Sequence, residues 1–209
     1  MKIFNEKHLI LLQAKNKSLY FYAKQGIDTV FSLCAIMILS PLMLIAAILI
    51  KLDSPGSIFY KQERIGLDGK PFFILKFRTM REDAEKDGPQ WADDNDARIT
   101  AVGHYLRKYR IDEIPQFLNI LRGEMSLIGP RPERLVFIQD FEKDLPEFRN
   151  RLQVKPGITG WAQINGGYDL HPKEKLALDL YYIVHFSLWL DLKIVIKSIP
   201  VILLAKGWR

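Results

Sequence analysis

An apolar run from Thr29 to Ile50 constrains this chain more than any other part of its sequence. At a helical rise of about 1.5 Å per residue, such a run reaches about 33 Å, enough to cross a hydrocarbon core of about 30 Å. Pro41 lies near its centre. Because proline lacks an amide donor and its ring clashes with the carbonyl four residues earlier, a helix kinks or breaks there unless the freed groups find partners. Ser40 could supply one by hydrogen bonding back to the main chain.

Basic residues flank the apolar run on both sides. They are Lys2, Lys7, Lys15, Lys17 and Lys24 before it, and Lys51, Lys61, Arg64, Lys70, Lys76, Arg78 and Arg81 after it. Positive charge marks the cytoplasmic side of a membrane segment, so two basic flanks favour a helix-break-helix hairpin that enters one leaflet, turns at Ser40–Pro41 and returns. A kinked helix that crosses the whole membrane is the alternative. The run is too long and begins too late for a cleaved signal peptide.

Length and charge limit the class of protein. A chain of 209 residues suits one domain, and its 30 Lys and Arg against 24 Asp and Glu give a net charge of +6. That balance suits anionic partners such as phosphates, nucleotides and acidic lipid headgroups. The aromatic residues do not alternate with a basic patch in any nucleic-acid-binding motif, so we expect no nucleic acid partner. A single cysteine, Cys34, excludes an intrachain disulfide.

Composition divides the chain into four segments. Residues 1–24 alternate lysine with apolar and aromatic residues, which predicts an amphipathic segment on the membrane surface. Residues 25–52 form the predicted membrane hairpin, and residues 53–180 a cytosolic core. Residues 181–209 are apolar but interrupted by charges and a proline, which predicts amphipathic interfacial helices and not a second crossing. The expected fold class is α+β and mainly α.

The core contains signals for several short elements. An Asp-Gly pair within residues 67–70, between apolar-rich runs, predicts a β-hairpin. Residues 99–110 and 114–123 predict helices, the second of which ends at its glycine. Residues 126–133 and 154–167 carry several prolines and glycines, which predicts loops, and long loops within a compact chain are usually functional.

Two adjacent carboxylates, Asp112 and Glu113, are the sharpest local feature of the core. Pro115 fits only in the first turn of a helix, so Asp112 is the predicted N-cap of the helix that follows. Asp112 could be a cap and nothing more. A helix N-terminus also binds phosphate and keeps a nearby carboxylate ionised, as a nucleophilic Asp or a metal-binding Glu requires. Three basic residues, Arg107, Lys108 and Arg110, lie close by in sequence.

Other charged residues extend this hypothesis. Arg131 lies between two prolines, a rigid mount for a bidentate phosphate contact, although a surface salt bridge would use the same residue. Two carboxylates, several arginines and a rigid loop indicate Mg²⁺-assisted phosphoryl chemistry. The acidic stretch 81–98 is either a solvated helix and loop or a mobile lid. Its Asp93, Asp94 and Asp96 could bind a metal, but a solvated acidic loop is the better account of them.

Five motifs occur along the chain in one order. They are Ser40–Pro41 in its apolar run, KFRTM at 76–80, LRKYRIDEIPQ at 106–116, MSLIGPRPE at 125–133 and KPGITGWAQING at 155–166. Together they resemble the bacterial monotopic phosphoglycosyl transferases, also called the bacterial sugar transferase family. The resemblance covers nearly all of the chain after about residue 24. It implies a small member of the family that consists of the catalytic core.

The resemblance implies a reaction at the cytoplasmic face of the bacterial inner membrane. A UDP-sugar gives its sugar-1-phosphate to polyprenol phosphate, with release of UMP, in the first membrane step of exopolysaccharide, capsule, O-antigen or other glycan assembly. It further implies that Asp112 attacks the sugar-bearing phosphorus to form a covalent phosphosugar intermediate, and that Glu113 with Asp112 holds Mg²⁺. The phosphate-binding residues implied are Lys76, Arg78, Arg107 and Arg131. The protein would contact lipid of one leaflet, and it is a candidate homodimer.

Two residues remain open within this resemblance. Asp179 is a candidate carboxylate that holds the site residues in place without contacting the substrate, although it could equally lie on a helix surface. Gly167 stands where the family commonly has a basic residue, so the contacts of that side chain with sugar or uridine cannot be carried over. The donor could be a hexose or an N-acetylhexosamine.

Two functions of other classes compete with the transferase. A non-catalytic adaptor would bind anionic lipid through its lysines and arginines, and its binding would weaken with salt. A metal-dependent glycosyltransferase would use Asp93–Asp94 or Asp94–Asp96 and release UDP in place of UMP. The nucleotide released therefore distinguishes the two enzymes.

Overall fold

The computed structural model describes residues 18–86, 88, 96–166 and 170–203. The described helices are α1 Ser18–Asp53, α2 Ala101–Lys108, α3 Gln116–Leu121, α4 Leu135–Asp144, α5 Trp161–Asn165, α6 Pro172–His185 and α7 Leu188–Leu203. The strands are β1 Phe59–Ile65, β2 Pro71–Phe77, β3 Ser126–Ile128 and β4 Gly157–Thr159, and 3₁₀ turns span Leu67–Gly69, Ile111–Glu113 and Pro146–Gln153. Mainly helical with small sheets, the fold is of the predicted α+β class. Most of the segment predicted for residues 1–24 lies outside the described residues.

Helix α1 continues through Pro41 without a change of secondary structure. Proline at this position leaves the carbonyl of Met37 without its usual main-chain donor. Ser40 Oγ donates to that carbonyl oxygen at 2.8 Å, which confirms the predicted compensation. Within the described part of the chain, α1 is the one helix long and apolar enough to cross a membrane. The helix is therefore not divided in two at Ser40–Pro41 as predicted, and its path relative to a membrane stays a prediction.

Both ends of α1 contact the core. Near the start, the Asp28 carboxylate is buried and accepts a hydrogen bond from the Leu127 amide at 3.2 Å. Near the end, Ala46 and Ile50 are buried against Phe77 at the end of β2. The large side chains exposed between these two contacts are apolar and include Leu33, Met37, Ile38, Leu42, Leu44 and Ile45. The helix thus touches the core at its two ends and presents an apolar surface between them.

Strands β1 and β2 form the predicted antiparallel hairpin, with Phe59 opposite Phe77 and Ile65 opposite Pro71. The turn between them depends on a left-handed backbone, with φ of 56° at Asp68 and 77° at the following glycine. Asparagine, aspartate and glycine tolerate that conformation best, which explains why the Asp-Gly pair located the hairpin correctly.

Strands β3 and β4 pair in parallel inside the two segments predicted to be loops, with Ser126 opposite Gly157 and Ile128 opposite Thr159. The close approach of the two segments requires a glycine just after β3. A Cβ on Gly129 would overlap the carbonyl oxygen of Lys155. The loop prediction was therefore wrong at these residues, because the hydrogen bonds join segments that are distant in sequence.

The largest core cluster lies between α4, the 3₁₀ turn after it, α6 and α7. Its most completely buried side chains include Ile138, Phe148 and Ile194. Helix α7 buries one side in this cluster and exposes apolar side chains on the other: Leu188, Trp189, Leu192, Val195, Ile196 and Ile199. This cluster supports β3 and the loop that carries Arg131.

Candidate active site

The two carboxylates lie in a tight turn between α2 and α3. Arg110 adopts a left-handed backbone with φ of 57°, and the 3₁₀ turn Ile111–Glu113 follows at once. Helix α3 begins at Gln116, and Pro115 occupies its N-cap position without a capping side chain. The prediction that Asp112 is the N-cap was therefore wrong, because the chain forms a separate 3₁₀ turn around Asp112 before the α-helix begins. Both carboxylates of the dyad are buried in that turn.

Glu113 receives two cations from different parts of the fold. Lys76 Nζ, from β2, lies 2.8 Å from Glu113 Oε1, and Arg131 Nη2 lies 2.5 Å from the same oxygen. Lys76 Nζ also lies 3.7 Å from Asp112 Oδ2. The side chains of Lys76 and Arg131 are each 20% exposed. The dyad therefore lies below the surface, while its cations reach solvent.

The surroundings shift the pKa values of the two carboxyl groups in opposite directions. Burial raises the pKa of Asp112, the negative charge of Glu113 adds to this, and Lys76 and Arg107 oppose it. Burial also acts to raise the pKa of Glu113, but Arg131, Lys76 and Arg110 outweigh it and hold that pKa well below its usual range. Glu113 is thus the member whose charged form the surroundings favour. Two adjacent carboxyls with opposite shifts are typical of sites in which they have different roles.

Arg107 reaches the dyad turn, whereas the contacts of Arg78 are elsewhere. Arg107 Nε donates to Thr79 Oγ1 at 2.9 Å, and its charge is close enough to lower the pKa of Asp112. Arg78 donates to the carbonyl oxygens of Pro55 at 2.6 Å and Ser54 at 2.7 Å, which holds the loop after α1. Of the four predicted phosphate ligands, the structure brings Lys76, Arg107 and Arg131 towards the dyad.

Asp179 supports this site from the interior. Its Oδ2 accepts from Arg151 Nε at 2.8 Å, and Arg151 Nη2 donates to the main-chain oxygen of Arg131 at 2.8 Å. Asp179 is 2% exposed, so the helix-surface alternative is wrong. Sequence reasoning missed Arg151, which is 1% exposed and lies in the largely polar 3₁₀ turn Pro146–Gln153. An arginine in such a pattern gives no signal of burial.

The loop of Arg131 is held from its other side as well. Arg64 Nη1 donates to the carbonyl oxygen of Pro132 at 3.1 Å, and Lys175 pairs with the buried Glu133. Burial acts to raise the pKa of Glu133, but Lys175 and Arg151 outweigh it, so this pKa is lowered. The carbonyl groups of Arg131 and Pro132 and the side chain of Glu133 are each bound by a neighbouring cation. The Arg131 side chain therefore projects from a fixed segment.

The residues of the dyad fit a magnesium ion that other ligands complete. No group of three or more His, Cys, Asp or Glu side chains is placed to hold a metal within the described ranges. Magnesium, however, commonly binds one or two carboxylates and takes its remaining oxygens from water and substrate phosphate. Asp112 and Glu113 supply such carboxylates side by side. Asp93, Asp94 and Gly167 lie outside the described residues, and Asp96 pairs with Arg98 at 2.5 Å.

Comparison with known sequences identifies the family. Residues 19–205 match the model of the bacterial sugar transferases. The chain belongs to the bacterial sugar transferase family. The matched range contains the dyad, its cations and α1, so the resemblance seen in the five motifs is confirmed.

Several curated relatives in the family carry descriptions of their activity. An Aeromonas hydrophila protein described as UDP-N-acetylgalactosamine-undecaprenyl-phosphate N-acetylgalactosaminephosphotransferase is 47% identical over 194 residues, which are 91% of this chain and 46% of that protein. A Caulobacter vibrioides UDP-glucose:undecaprenyl-phosphate glucose-1-phosphate transferase is 43% identical over 86% of this chain and 69% of its own length. The exopolysaccharide production protein ExoY of Sinorhizobium fredii is 40% identical, with coverage of 88% and 87%. The chain thus spans less than half of the Aeromonas relative and most of ExoY.

Proposed function

We propose that this chain transfers sugar-1-phosphate from a UDP-sugar to polyprenol phosphate and releases UMP. The observation that carries the proposal is the buried Asp112–Glu113 pair with Lys76 and Arg131 on Glu113, in a chain of the bacterial sugar transferase family. The names of the relatives support this substrate class, since they describe UDP-sugar donors and undecaprenyl phosphate as acceptor. The donors in those names include both a hexose and an N-acetylhexosamine, so the names do not identify the sugar that this chain transfers.

In the proposed reaction, an Asp112 oxygen attacks the sugar-bearing phosphorus of the donor. The bond from this phosphorus to the bridging oxygen breaks, UMP leaves with that oxygen, and the sugar phosphate stays on Asp112 as an acyl phosphate. An oxygen of polyprenol phosphate then attacks the same phosphorus, which frees the carboxylate and completes the lipid diphosphate. Lys76 and Arg131 neutralise the phosphate oxygens, which is the main protein contribution in phosphoryl transfer.

Glu113 has the supporting role in this proposal. Its lowered pKa keeps it charged, and it positions Lys76 and Arg131 beside Asp112. A bound Mg²⁺ would supply charge neutralisation at the diphosphate and would favour the ionised form of Asp112. The raised pKa of Asp112 suits a carboxyl that becomes charged when cations surround it.

The membrane arrangement proposed is reentrant and monotopic, on the cytoplasmic face of the bacterial inner membrane. Supporting it, the start of α1 is hydrogen bonded to the core at Leu127 and the end packs on Phe77. A helix that crossed the membrane would carry these two ends to opposite sides, whereas both contact one globular unit. The apolar middle around Pro41 would then enter a single leaflet, and the exposed apolar face of α7 would lie in the interface.

The polymer fed by the product would be an exopolysaccharide or a related glycan, as the name of ExoY suggests.

The test is nucleotide release from a panel of UDP-sugars, with Mg²⁺ and detergent-solubilised undecaprenyl phosphate. We expect UMP from one donor, and loss of at least about a thousandfold in the rate with Asp112→Asn, which removes the attacking charge. Asp140→Asn on the exposed face of α4 is the matched control and should retain the wild-type rate. Release of UDP would indicate a glycosyltransferase instead. Release of neither nucleotide from any donor, with salt-sensitive lipid binding, would support the adaptor.

A further inference from the structure

Aromatic and basic side chains lie together on the surface where α5, α6 and α7 meet. We call this group the Trp161 patch, and it consists of Trp161, Tyr181, His185, Lys193 and Lys197. The Trp161 and Tyr181 rings stack with centroids 5.4 Å apart, and Tyr181 stacks on His185 at 4.3 Å. Lys193 Nζ lies 5.5 Å and Lys197 Nζ 5.7 Å from the centroid of the Trp161 ring. Two ammonium groups are therefore gathered at one indole.

The two lysines of the patch differ from four other lysines of the fold, which have carboxylate partners. Lys24, Lys76, Lys143 and Lys175 each form an ion pair with a carboxylate. Lys193 and Lys197 have no carboxylate within salt-bridge distance in the described part of the chain, and both are exposed. Two like charges one helical turn apart repel each other, and an anion between them would relieve that repulsion.

The backbone that carries these lysines is held firmly. On the buried side of α7, Asp191 accepts hydrogen bonds from Tyr20 at 2.7 Å and Tyr182 at 2.9 Å. Two turns further along, Ser198 Oγ lies 2.8 Å from Thr159 Oγ1 of β4. The spacing of the two ammonium groups is therefore set by a fixed helix and by the indole below them.

The patch borders the exposed apolar face of α7. Trp189 is 75% exposed and Ile196 is 58% exposed on that face, next to the lysines along the helix. An apolar face beside a cationic edge matches the boundary between the acyl chains and the phosphates of a bilayer. A soluble anion would satisfy the lysines only, whereas a phospholipid would satisfy both surfaces.

We propose that the Trp161 patch binds the phosphate of an acidic phospholipid of the bilayer, with Lys193 and Lys197 as its cationic ligands. The inference rests on the membrane location in the proposed function. The polyprenol phosphate acceptor has separate cations at the dyad, Lys76 and Arg131, so the patch is assigned to bulk lipid. Its role is to fix the rotation and depth of α7 in the interface.

The experiment counts lipids bound to the detergent-solubilised full chain by native mass spectrometry. Short-chain phosphatidylglycerol is titrated against phosphatidylcholine of the same acyl length. We expect preferential binding of phosphatidylglycerol, weakened roughly thirtyfold in Lys193→Gln/Lys197→Gln, as two lysines at an acidic headgroup imply. The charge-matched control Lys61→Gln/Lys70→Gln alters exposed lysines of the β-hairpin and should bind as the wild type does.

Several outcomes would overturn the assignment. Equal weakening in both double variants would show general electrostatic attraction and no site. Displacement of phosphatidylglycerol by polyprenol phosphate or by inorganic phosphate at similar concentration would assign the patch to the acceptor or to a simple anion. UMP release, measured in detergent on the same samples, tests the transferase separately. A chain that binds phosphatidylglycerol through these lysines but releases no UMP would retain this inference and lose the proposed function.

Discussion

Two clusters of buried charge share Arg131, and they differ in how far solvent reaches them. In the dyad cluster, Glu113 pairs with Lys76 and with the Arg131 side chain, and both cations are 20% exposed. In the support cluster, Asp179 pairs with Arg151, which is 1% exposed and donates to the Arg131 main chain. Cations at the edge of solvent can exchange a carboxylate for a phosphate, whereas a sealed pair can only hold the fold. Under the proposed function, similar ion pairs would therefore serve chemistry in one cluster and structure in the other.

The largest expected effect lies in the support cluster. Asp179→Ala leaves the Arg151 guanidinium buried without its carboxylate, and breaking such a pair costs about 3–5 kcal/mol. We expect a matching fall in the free energy of unfolding, measured by denaturant titration in detergent. Asp140→Asn, which breaks an exposed pair with Lys143, should change that free energy by less than about 1 kcal/mol. Equal losses in the two variants would mean that the support cluster is not sealed.

In the dyad cluster, we expect a substitution to affect activity more than stability. Glu113→Gln removes the charge that positions Lys76 and Arg131, and we expect UMP release to fall by roughly 10²–10³-fold. Because both cations reach water, the free energy of unfolding should fall by less than it does in Asp179→Ala. A variant that unfolds as readily as Asp179→Ala would remove the distinction between the clusters.

Lys76 gives a finer test of the dyad cluster, since it lies between the two carboxylates. Lys76→Gln should lower the rate of UMP release by about a hundredfold, because a phosphate-neutralising charge is lost. Lys76→Arg keeps the charge with a different shape and should recover part of the rate. An arginine variant no better than the glutamine variant would show that geometry, and not charge, is what this position requires.

The smallest expected effect is in α1. Ser40→Ala removes the donor to the Met37 carbonyl, and we expect a loss of about 1 kcal/mol in unfolding free energy. Thr29→Val removes a similar bond to Gln25, whose carbonyl can also accept the usual helical amide, so this variant should cost less. A larger loss from Thr29→Val would argue against the special role of the hydroxyl beside Pro41.

The sequence predicts those parts of the fold that depend on local contacts. The Asp68-Gly69 turn located the β-hairpin because its backbone needs are met by two adjacent residues. The parallel pairing of Ser126 with Gly157 could not be predicted, because three-residue strands carry no pattern and their partners are distant. The N-cap prediction for Asp112 was wrong because the left-handed backbone at Arg110, two residues earlier, has no clear signal in the sequence.

The candidate site was predictable in most of its members and not in the contacts between them. Adjacency in sequence indicated Asp112 and Glu113, and the two prolines indicated a rigid mount for Arg131. Only the fold shows that Arg131 contacts Glu113 at 2.5 Å, or that Arg151 lies beneath it. Contacts of that kind depend on how β2, the dyad turn and the Arg131 loop pack together.

The attachment of α1 at both ends has a mechanical consequence. The end of α1 packs on α2, where Ala46 and Ile50 share a cluster with Leu106, the residue before Arg107. If α1 lies in one leaflet as proposed, the depth to which it inserts would set the height of Asp112 above the lipid phosphates. Bilayer thickness would then tune how readily a lipid-borne phosphate meets the carboxylate, with no change in any residue of the site.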